Sequence, residues 1–333
     1  MSVQRQIFGV CADGPVYVYT IENKNETKAR ILSYGATWQD FQVKVGSQRT
    51  SLIEHFDSFA AYLQTPYQNG KTVGRVAGRL KDARFELDGQ TYQLPANDQG
   101  NLIHGGDRGL QTQNFTGTFD PDGQQVTLTH VAKPEDDGFP GALTVAVTYT
   151  LTDDDTVQIQ YQGTSTATTL FNPTSHVYFN LTTPRNFKTQ TLQIQSDHTL
   201  AVDAQKVPTG TLLPVSLGYD FRRPKSIAQG LKDLQADNGH VEFDDTYVVA
   251  PGSKVATLAT DTHALDLYSD RNGLVIFTAN TQDQTKAQRH QFSALAMELQ
   301  TLPDAIHHAG FGDIVLPKGQ TVTYTNRYHY RKL

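Results

Sequence analysis

Cysteine is almost absent from this chain, since Cys11 is the single cysteine among 333 residues. One thiol cannot form an internal disulfide, which excludes a disulfide framework and favours a reducing compartment. Residues 1–12 lack the apolar core of a signal peptide, and no stretch approaches the roughly 18 apolar residues of a membrane-spanning helix. We therefore expect a cytoplasmic protein with no membrane partner.

An excess of positive charge is also missing. The chain has 28 Lys and Arg residues against 34 Asp and Glu residues, a formal net charge of −6. Proteins that bind nucleic acids need a positive face to displace counterions from the phosphates. We therefore expect no nucleic-acid partner.

Several catalytic motifs are absent as well. Gly70, Gly74 and Gly78 recur at a spacing that matches neither a dinucleotide-binding loop nor a P-loop. No Gly-x-Ser-x-Gly or His-Glu-x-x-His motif occurs. His307 and His308 are adjacent, and neighbours on a strand point to opposite faces, so they form a poor pair of metal ligands. We expect neither a cofactor nor a metal.

The patterns that are present are those of β-strands. Apolar residues alternate with Thr and Ala over residues 143–151, which predicts a half-buried strand. Similar runs cover residues 16–21, 38–45, 126–131, 157–161, 192–194, 274–278 and 321–324. Asp88-Gly89 between two short alternating runs predicts a hairpin.

Helical patterns are few. Residues 57–63 predict a short helix capped by Asp57 or Ser58, and residues 226–234 predict another with Ser226 as its N-cap. No linker or fixed repeat divides the chain. The sequence therefore predicts an all-β protein, a large antiparallel β-sandwich with few short helices, formed by residues 1–333 as one domain.

Four segments combine ionisable residues with turn or strand patterns, and they contain Arg79, His104, His176 and Glu298. Each has a simpler interpretation: an arginine paired with a carboxylate, a histidine in a turn, a core histidine, or a solvent-facing glutamate. Together they supply hydrogen-bonding groups for hydroxyls and an acid–base pair, which is what a sugar site needs.

These segments resemble the galactose mutarotase (aldose 1-epimerase) family over nearly the whole chain. The motifs are GRVAGR at 74–79, LIHGG at 102–106, NPTSHVYFNL at 172–181 and ELQTLPDA at 298–305. The resemblance implies the family's β-sandwich, a supersandwich with an open sugar cleft.

The same resemblance implies roles for individual residues. Glu298 matches the general base that takes the proton of the C1 hydroxyl, and His176 matches the general acid that protonates the ring oxygen. Arg79 and His104 match sugar-binding residues, and Asp244 matches a hydroxyl-binding aspartate. The expected substrate is a monosaccharide such as galactose or glucose, and the expected assembly is a monomer or a homodimer.

Other functions stay open on the sequence alone. An epimerase acting on a disaccharide such as maltose and a non-catalytic carbohydrate-binding protein of the same fold are the alternatives. A sugar-phosphate epimerase is a further one, because Arg75 and Arg79 could bind phosphate. A glycoside hydrolase ranks lower, since that chemistry usually needs two carboxylates flanking the bond and Glu298 is the one strong candidate.

Overall fold

The computed structural model of the protein describes residues 1–182, 186–279 and 292–333. In these residues strands dominate. The first fourteen are β1 (Ser2–Cys11), β2 (Gly14–Glu22), β3 (Lys28–Leu32), β4 (Thr37–Val45), β5 (Gln48–Ser51), β6 (Thr72–Val73), β7 (Arg79–Leu80), β8 (Arg84–Leu87), β9 (Gln90–Gln93), β10 (Leu102–Ile103), β11 (Thr116–Phe119), β12 (Gln125–Ala132), β13 (Leu143–Leu151) and β14 (Thr156–Ser165).

The remaining described strands lie in the second half of the chain. They are β15 (Thr169–Leu170), β16 (Thr174–Ser175), β17 (Tyr178–Phe179), β18 (Thr191–Ile194), β19 (His198–Val202), β20 (Pro208–Pro214), β21 (Lys225–Ser226), β22 (Asp244–Val248), β23 (Lys254–Ala259), β24 (His263–Ser269), β25 (Gly273–Ala279), β26 (Ala294–Gln300), β27 (Val315–Leu316) and β28 (Thr321–Lys332). The described helices are α1 (Phe59–Gln64), α2 (Pro134–Asp137) and α3 (Ile227–Asn238).

Most of these strands belong to three antiparallel sheets. The first has the order β1-β2-β3-β4-β5, and the second, of nine strands, runs β11-β12-β13-β14-β28-β24-β23-β18-β21. The third, of six strands, runs β17-β26-β25-β22-β19-β20. The pairs β6/β16, β7/β10, β8/β9 and β15/β27 complete the described ladders.

The three large sheets share one hydrophobic core. Val147 and Tyr161 of the nine-stranded sheet, Trp38 of the five-stranded sheet and Met297 of the six-stranded sheet belong to the same buried cluster. Burial of this apolar surface is the main force that holds the layers together. The predicted all-β sandwich is confirmed, and the organisation as one domain stays a prediction.

The local predictions agree with the structure. Each predicted strand lies within an observed one or overlaps it, and the predicted hairpin is β8–β9. Ser58, not Asp57, caps α1, because its side chain accepts a hydrogen bond from the Ala61 N–H. Ser226 caps α3 as predicted, by accepting from the Gln229 N–H. The helix α2 was not predicted, because four residues are too few for a periodic pattern.

One buried ion pair joins the segment between β6 and β7 to helix α2. Arg75 is fully buried, and its Nε donates to Asp137 Oδ2 at 2.7 Å. Its two Nη groups donate to Thr169 and to the carbonyls of Pro140 and Ala132. Each of the three guanidinium nitrogens therefore has at least one acceptor, as a buried cation requires. Arg75 is therefore paired with a carboxylate inside the fold.

Removal of the Asp137 carboxylate should be strongly destabilising. Asp137→Ala leaves the Arg75 charge buried without a partner, so we expect a loss of about 3–5 kcal/mol in the free energy of unfolding. Denaturant unfolding of the variant measures it. Glu86→Ala is the matched control, since Glu86 and Arg84 form an exposed pair worth about 0–1 kcal/mol. A loss no larger than that of the control would show that the buried pair does not stabilise the fold.

Candidate active site

A cavity of about 300 Å³ opens on the face of the six-stranded sheet that points away from the core. Arg79, His104, His176, Asp244 and Glu298 all line it. The five residues come from distant parts of the sequence, and the fold brings every one of them to the same place.

The alternation of β26 explains how Glu298 reaches the cavity. Leu295, Met297 and Leu299 point into the core, so Glu298 must point to the opposite face. The neighbouring strand β25 places Val275 directly beside Glu298. Strand register thus puts a carboxylate in the centre of an otherwise apolar stretch of sheet.

The same register brings the other residues of this face together. Asp244 of β22 pairs with Phe277 of β25, which pairs in turn with Ala296 of β26. On the other side of β26, Tyr178 of β17 also pairs with Ala296. His176 precedes Tyr178 of β17 by two positions, so its ring lies over the same face, 5.0 Å from the Tyr178 ring.

His176 and Glu298 are in direct contact. His176 Nε2 lies 3.2 Å from Glu298 Oε1, and the two side chains are 9% and 3% exposed. A proton bound between these atoms can move from one to the other without crossing water. The two residues expected to act as acid and base are therefore in contact, and their catalytic roles stay predictions.

Burial acts on both members of this pair. It lowers the pKa of His176 to about 4, because the imidazolium loses its hydration. It raises the pKa of Glu298 to about 8, with the negative charge of Asp244 adding to the effect. Between these values the pair holds one proton in total, and burial favours the form in which neither group is charged.

His104 is held in a defined tautomer. Its backbone lies in the left-handed region at φ 54°, and its Nδ1 accepts a hydrogen bond from the Gly78 N–H at 3.3 Å. Burial holds the pKa of His104 well below its ordinary value, and the charges of His176 and Arg79 act in the same direction. Because Nδ1 is an acceptor in a neutral ring, Nε2 carries the hydrogen and is the donor of this residue.

Arg79 is oriented by a carboxylate outside the cavity. Its Nε donates to Asp98 Oδ2 at 2.7 Å, and both side chains are about one-fifth exposed. Among the described residues this is its one side-chain partner, so the Nη groups are left to donate toward the cavity. Asp98 was not identified from the sequence, because a partner far along the chain leaves no local pattern.

Other lining residues were also missed. Tyr178 follows His176 by two positions, and this spacing on an extended segment could have indicated a shared face. Phe277, Lys206 and Gln68 line the cavity too. Phe277 lies in a predicted strand with no feature that separates it from a core residue, and the other two lie in turns.

The strand geometry expected for His307 and His308 is wrong. These residues lie in and after the 3-10 turn Ala305–His307, not on a strand, and both approach Asp304. His307 Nδ1 is 2.6 Å from Asp304 Oδ1, and His308 Nε2 is 3.3 Å from Oδ2. Across residues 1–182, 186–279 and 292–333, no group of His, Cys, Asp and Glu is arranged to hold a metal ion.

The fold and the cavity define an all-β protein with a buried histidine–glutamate pair in an open cleft. A sequence model of the aldose 1-epimerase family matches residues 17–329. The chain therefore belongs to the aldose 1-epimerase family, and the isomerase-type enzyme expected from the sequence is confirmed.

Individual relatives match along their full length. A protein of Levilactobacillus brevis named maltose epimerase is 42% identical, with 100% of each chain covered. An aldose 1-epimerase of Streptococcus thermophilus is 34% identical over 99% of each chain. The crystal structure of an aldose epimerase homologue from C. elegans superposes with a TM-score of 0.86 at 25% identity, covering 94% of this chain and 98% of the other.

Within the described residues no helix has the length and apolar character to cross a membrane.

The state of the His104 ring can be measured directly. We expect the neutral Nε2–H form to persist as pH falls below 6.5, the ordinary pKa of a histidine, because burial opposes the gain of a charge. Nitrogen chemical shifts of 15N-labelled protein report the tautomer, and the spectrum of His104→Gln assigns the signal. Titration of this ring above pH 6 would contradict its assignment as a neutral donor.

Proposed function

We propose that this protein interconverts the α and β anomers of free sugars, with Glu298 as the general base and His176 as the general acid. The carrying observation is the 3.2 Å contact between His176 Nε2 and Glu298 Oε1 on the wall of the cavity. Mutarotation removes a proton from one oxygen of the sugar and adds one to another, so it needs this pair of groups.

Glu298 and His176 together account for every proton transfer of the reaction. Glu298 accepts the proton of the C1 hydroxyl while His176 Nε2 gives its proton to the ring oxygen, and the bond between C1 and that oxygen breaks. The open-chain aldehyde rotates about C1–C2. Both proton transfers then reverse as the ring closes on the other face of the carbonyl, which leaves the enzyme unchanged.

Substrate binding sets the protonation state of the pair from which the reaction starts. The reactive form has the proton on His176 and the negative charge on Glu298, whereas burial alone favours the neutral pair. Sugar hydroxyls that donate to Glu298 favour its carboxylate form. The Nη groups of Arg79, the Nε2–H of His104 and the carboxylate of Asp244 supply the donors and acceptors for the other hydroxyls.

The sugar preference includes a disaccharide. We propose that maltose is a substrate beside glucose and galactose, because a relative with 42% identity over the whole chain is named maltose epimerase. Tyr67 and Lys206, both half-buried, line the same cavity as the histidine–glutamate pair. A sugar phosphate is less suited, since Arg75 is buried against Asp137 and does not line the cavity.

A compartment and an assembly complete the proposal. The single cysteine supports a place in the cytoplasm, and we propose a monomer or a homodimer that acts on small sugars and binds no nucleic acid.

Two substitutions separate catalysis from binding. Glu298→Gln keeps the shape of the side chain but removes the base, so we expect kcat to fall about 10²–10⁴-fold with a smaller change in KM. Arg79→Ala removes a donor used in ground and transition state alike, so its main effect should be on KM. Polarimetry on freshly dissolved α-glucose, α-galactose and α-maltose, net of the spontaneous rate, measures both.

The exposed Glu86→Gln supplies the matched control and should leave both constants unchanged. A folded Glu298→Gln protein with wild-type kcat would remove Glu298 from the mechanism. Wild-type protein that binds these sugars without accelerating mutarotation would favour the non-catalytic carbohydrate-binding alternative.

The pH profile should be bell-shaped. The active pair holds one proton: a second proton adds as pH falls through the pKa of His176 near 4, and the single proton leaves as pH rises through the pKa of Glu298 near 8. The ratio kcat/KM reports the free enzyme, so it should be highest between these limits and fall on both sides. A ratio that stays constant from pH 4 to pH 10 would exclude the pair as the catalytic unit.

A further inference from the structure

The turn between α1 and β6 forms one wall of the cavity. Pro66, Tyr67 and Gln68 of this turn line it. Gln68 has a positive φ of 34°, a left-handed conformation that is costly for a residue with a side chain. Such a conformation persists only where the surroundings enforce it, and these positions cluster at functional sites.

A buried lysine enforces the position of the Gln68 side chain. Lys71 is 5% exposed, and its Nζ donates to Gln68 Oε1 at 3.1 Å. The ammonium also lies 5.7 Å from the centre of the Tyr34 ring. Among the described residues Lys71 forms no ion pair with a carboxylate, and burial lowers its pKa to about 8. Burial of a lysine ammonium without a carboxylate partner costs free energy, so such a residue is expected to have a functional role.

The contact with Lys71 fixes which end of the Gln68 amide faces the lysine. A lysine ammonium only donates hydrogen bonds, so the glutamine must present its oxygen to Lys71. The Nε2 group, with its two hydrogens, is then turned away from the lysine. Since Gln68 lines the cavity, the exposed end of its side chain is a donor of fixed direction.

The same turn also holds the backbone of His176. The His176 N–H donates to the Lys71 carbonyl at 2.9 Å, and the Gly70 N–H donates to the His176 carbonyl at 2.8 Å. Gln68 is therefore coupled through two residues of chain to the position of the proposed acid. A sugar held by Gln68 would be placed relative to His176 by a short and rigid path.

We propose that Gln68 is a substrate-binding residue whose Nε2 group donates to one hydroxyl oxygen of the sugar, and that Lys71 is the positioning residue that orients it. This inference rests on the proposed function of the cavity as a sugar site. It adds to that function an uncharged donor on the wall formed by residues 66–68.

Deoxy sugars test the direct contact. Gln68→Ala removes one hydrogen bond, so KM for glucose should rise about 3- to 10-fold with kcat close to wild type. In a series of deoxyglucoses, each lacking one hydroxyl away from C1, one sugar should show no further penalty in Gln68→Ala, because its missing hydroxyl is the partner. An equal penalty for every sugar of the series would overturn the direct contact.

A double-mutant cycle tests the positioning role. Lys71→Met keeps most of the apolar stem but lets the Gln68 amide turn, so KM should rise in the wild-type background and not further in Gln68→Ala. Additive effects would overturn the role of Lys71.

A charged substitution gives a further test. Gln68→Glu adds an ion pair with Lys71 but presents no donor, so KM should rise while the melting temperature is kept or increased. A loss of stability with unchanged KM would indicate a structural role only.

Controls separate this inference from the proposed function. Gln235→Ala and Lys232→Met, both exposed on α3, should change neither KM nor stability. If the wild type fails to catalyse mutarotation, the proposed function fails, and calorimetric titration with glucose and maltose then compares sugar affinity in the same variants. Unchanged affinity in Gln68→Ala, or the absence of sugar binding to the wild type, would overturn the proposal for Gln68.

Discussion

The chemistry of this site depends on the contact between His176 Nε2 and Glu298 Oε1, two ionisable atoms 3.2 Å apart and almost fully buried. In water both groups would be charged at a pH between their ordinary pKa values of 4.5 and 6.5. In the cavity desolvation penalises both charges, so the two groups behave as one unit that holds one proton. A unit of this kind can give a proton at one atom and accept one at another in a single encounter, and no third protein group has to supply or remove a proton.

The fold keeps this unit in place through the register of its sheets. Glu298 alternates along β26 with Leu295, Met297 and Leu299, which are fixed in the core. A shift by one residue would bury Glu298 in the core and turn Met297 toward the cavity, so the packing of the sandwich enforces the geometry of the site. His176 is held differently, through backbone hydrogen bonds on both sides to Lys71 and Gly70. A rigid sheet thus carries the carboxylate, and a short turn carries the imidazole.

This difference explains how far the sequence could be interpreted. Alternation predicts strands such as β13 and the face of Glu298, because period-two burial leaves a direct trace in the residue order. Serine caps predict the starts of α1 and α3 for a similar local reason. Asp98 and Asp137 carry no such trace, since their partners Arg79 and Arg75 lie 19 and 62 positions away. The positions of the five site residues were predicted through family resemblance, and their roles stay predictions.

Three cationic side chains of one segment differ in how their charges are compensated, and only the structure shows this difference. All occur within residues 71–79, and the sequence does not distinguish them. Arg75 has a carboxylate and three further acceptors, so its charge is compensated within the framework. Arg79 has one carboxylate and free donor groups at the cavity. Lys71 has one amide oxygen, which belongs to a residue of the cavity wall. A poorly compensated buried charge is expected where function requires it. Of these three cations, Lys71 is the one whose burial is not explained by contacts within the fold alone.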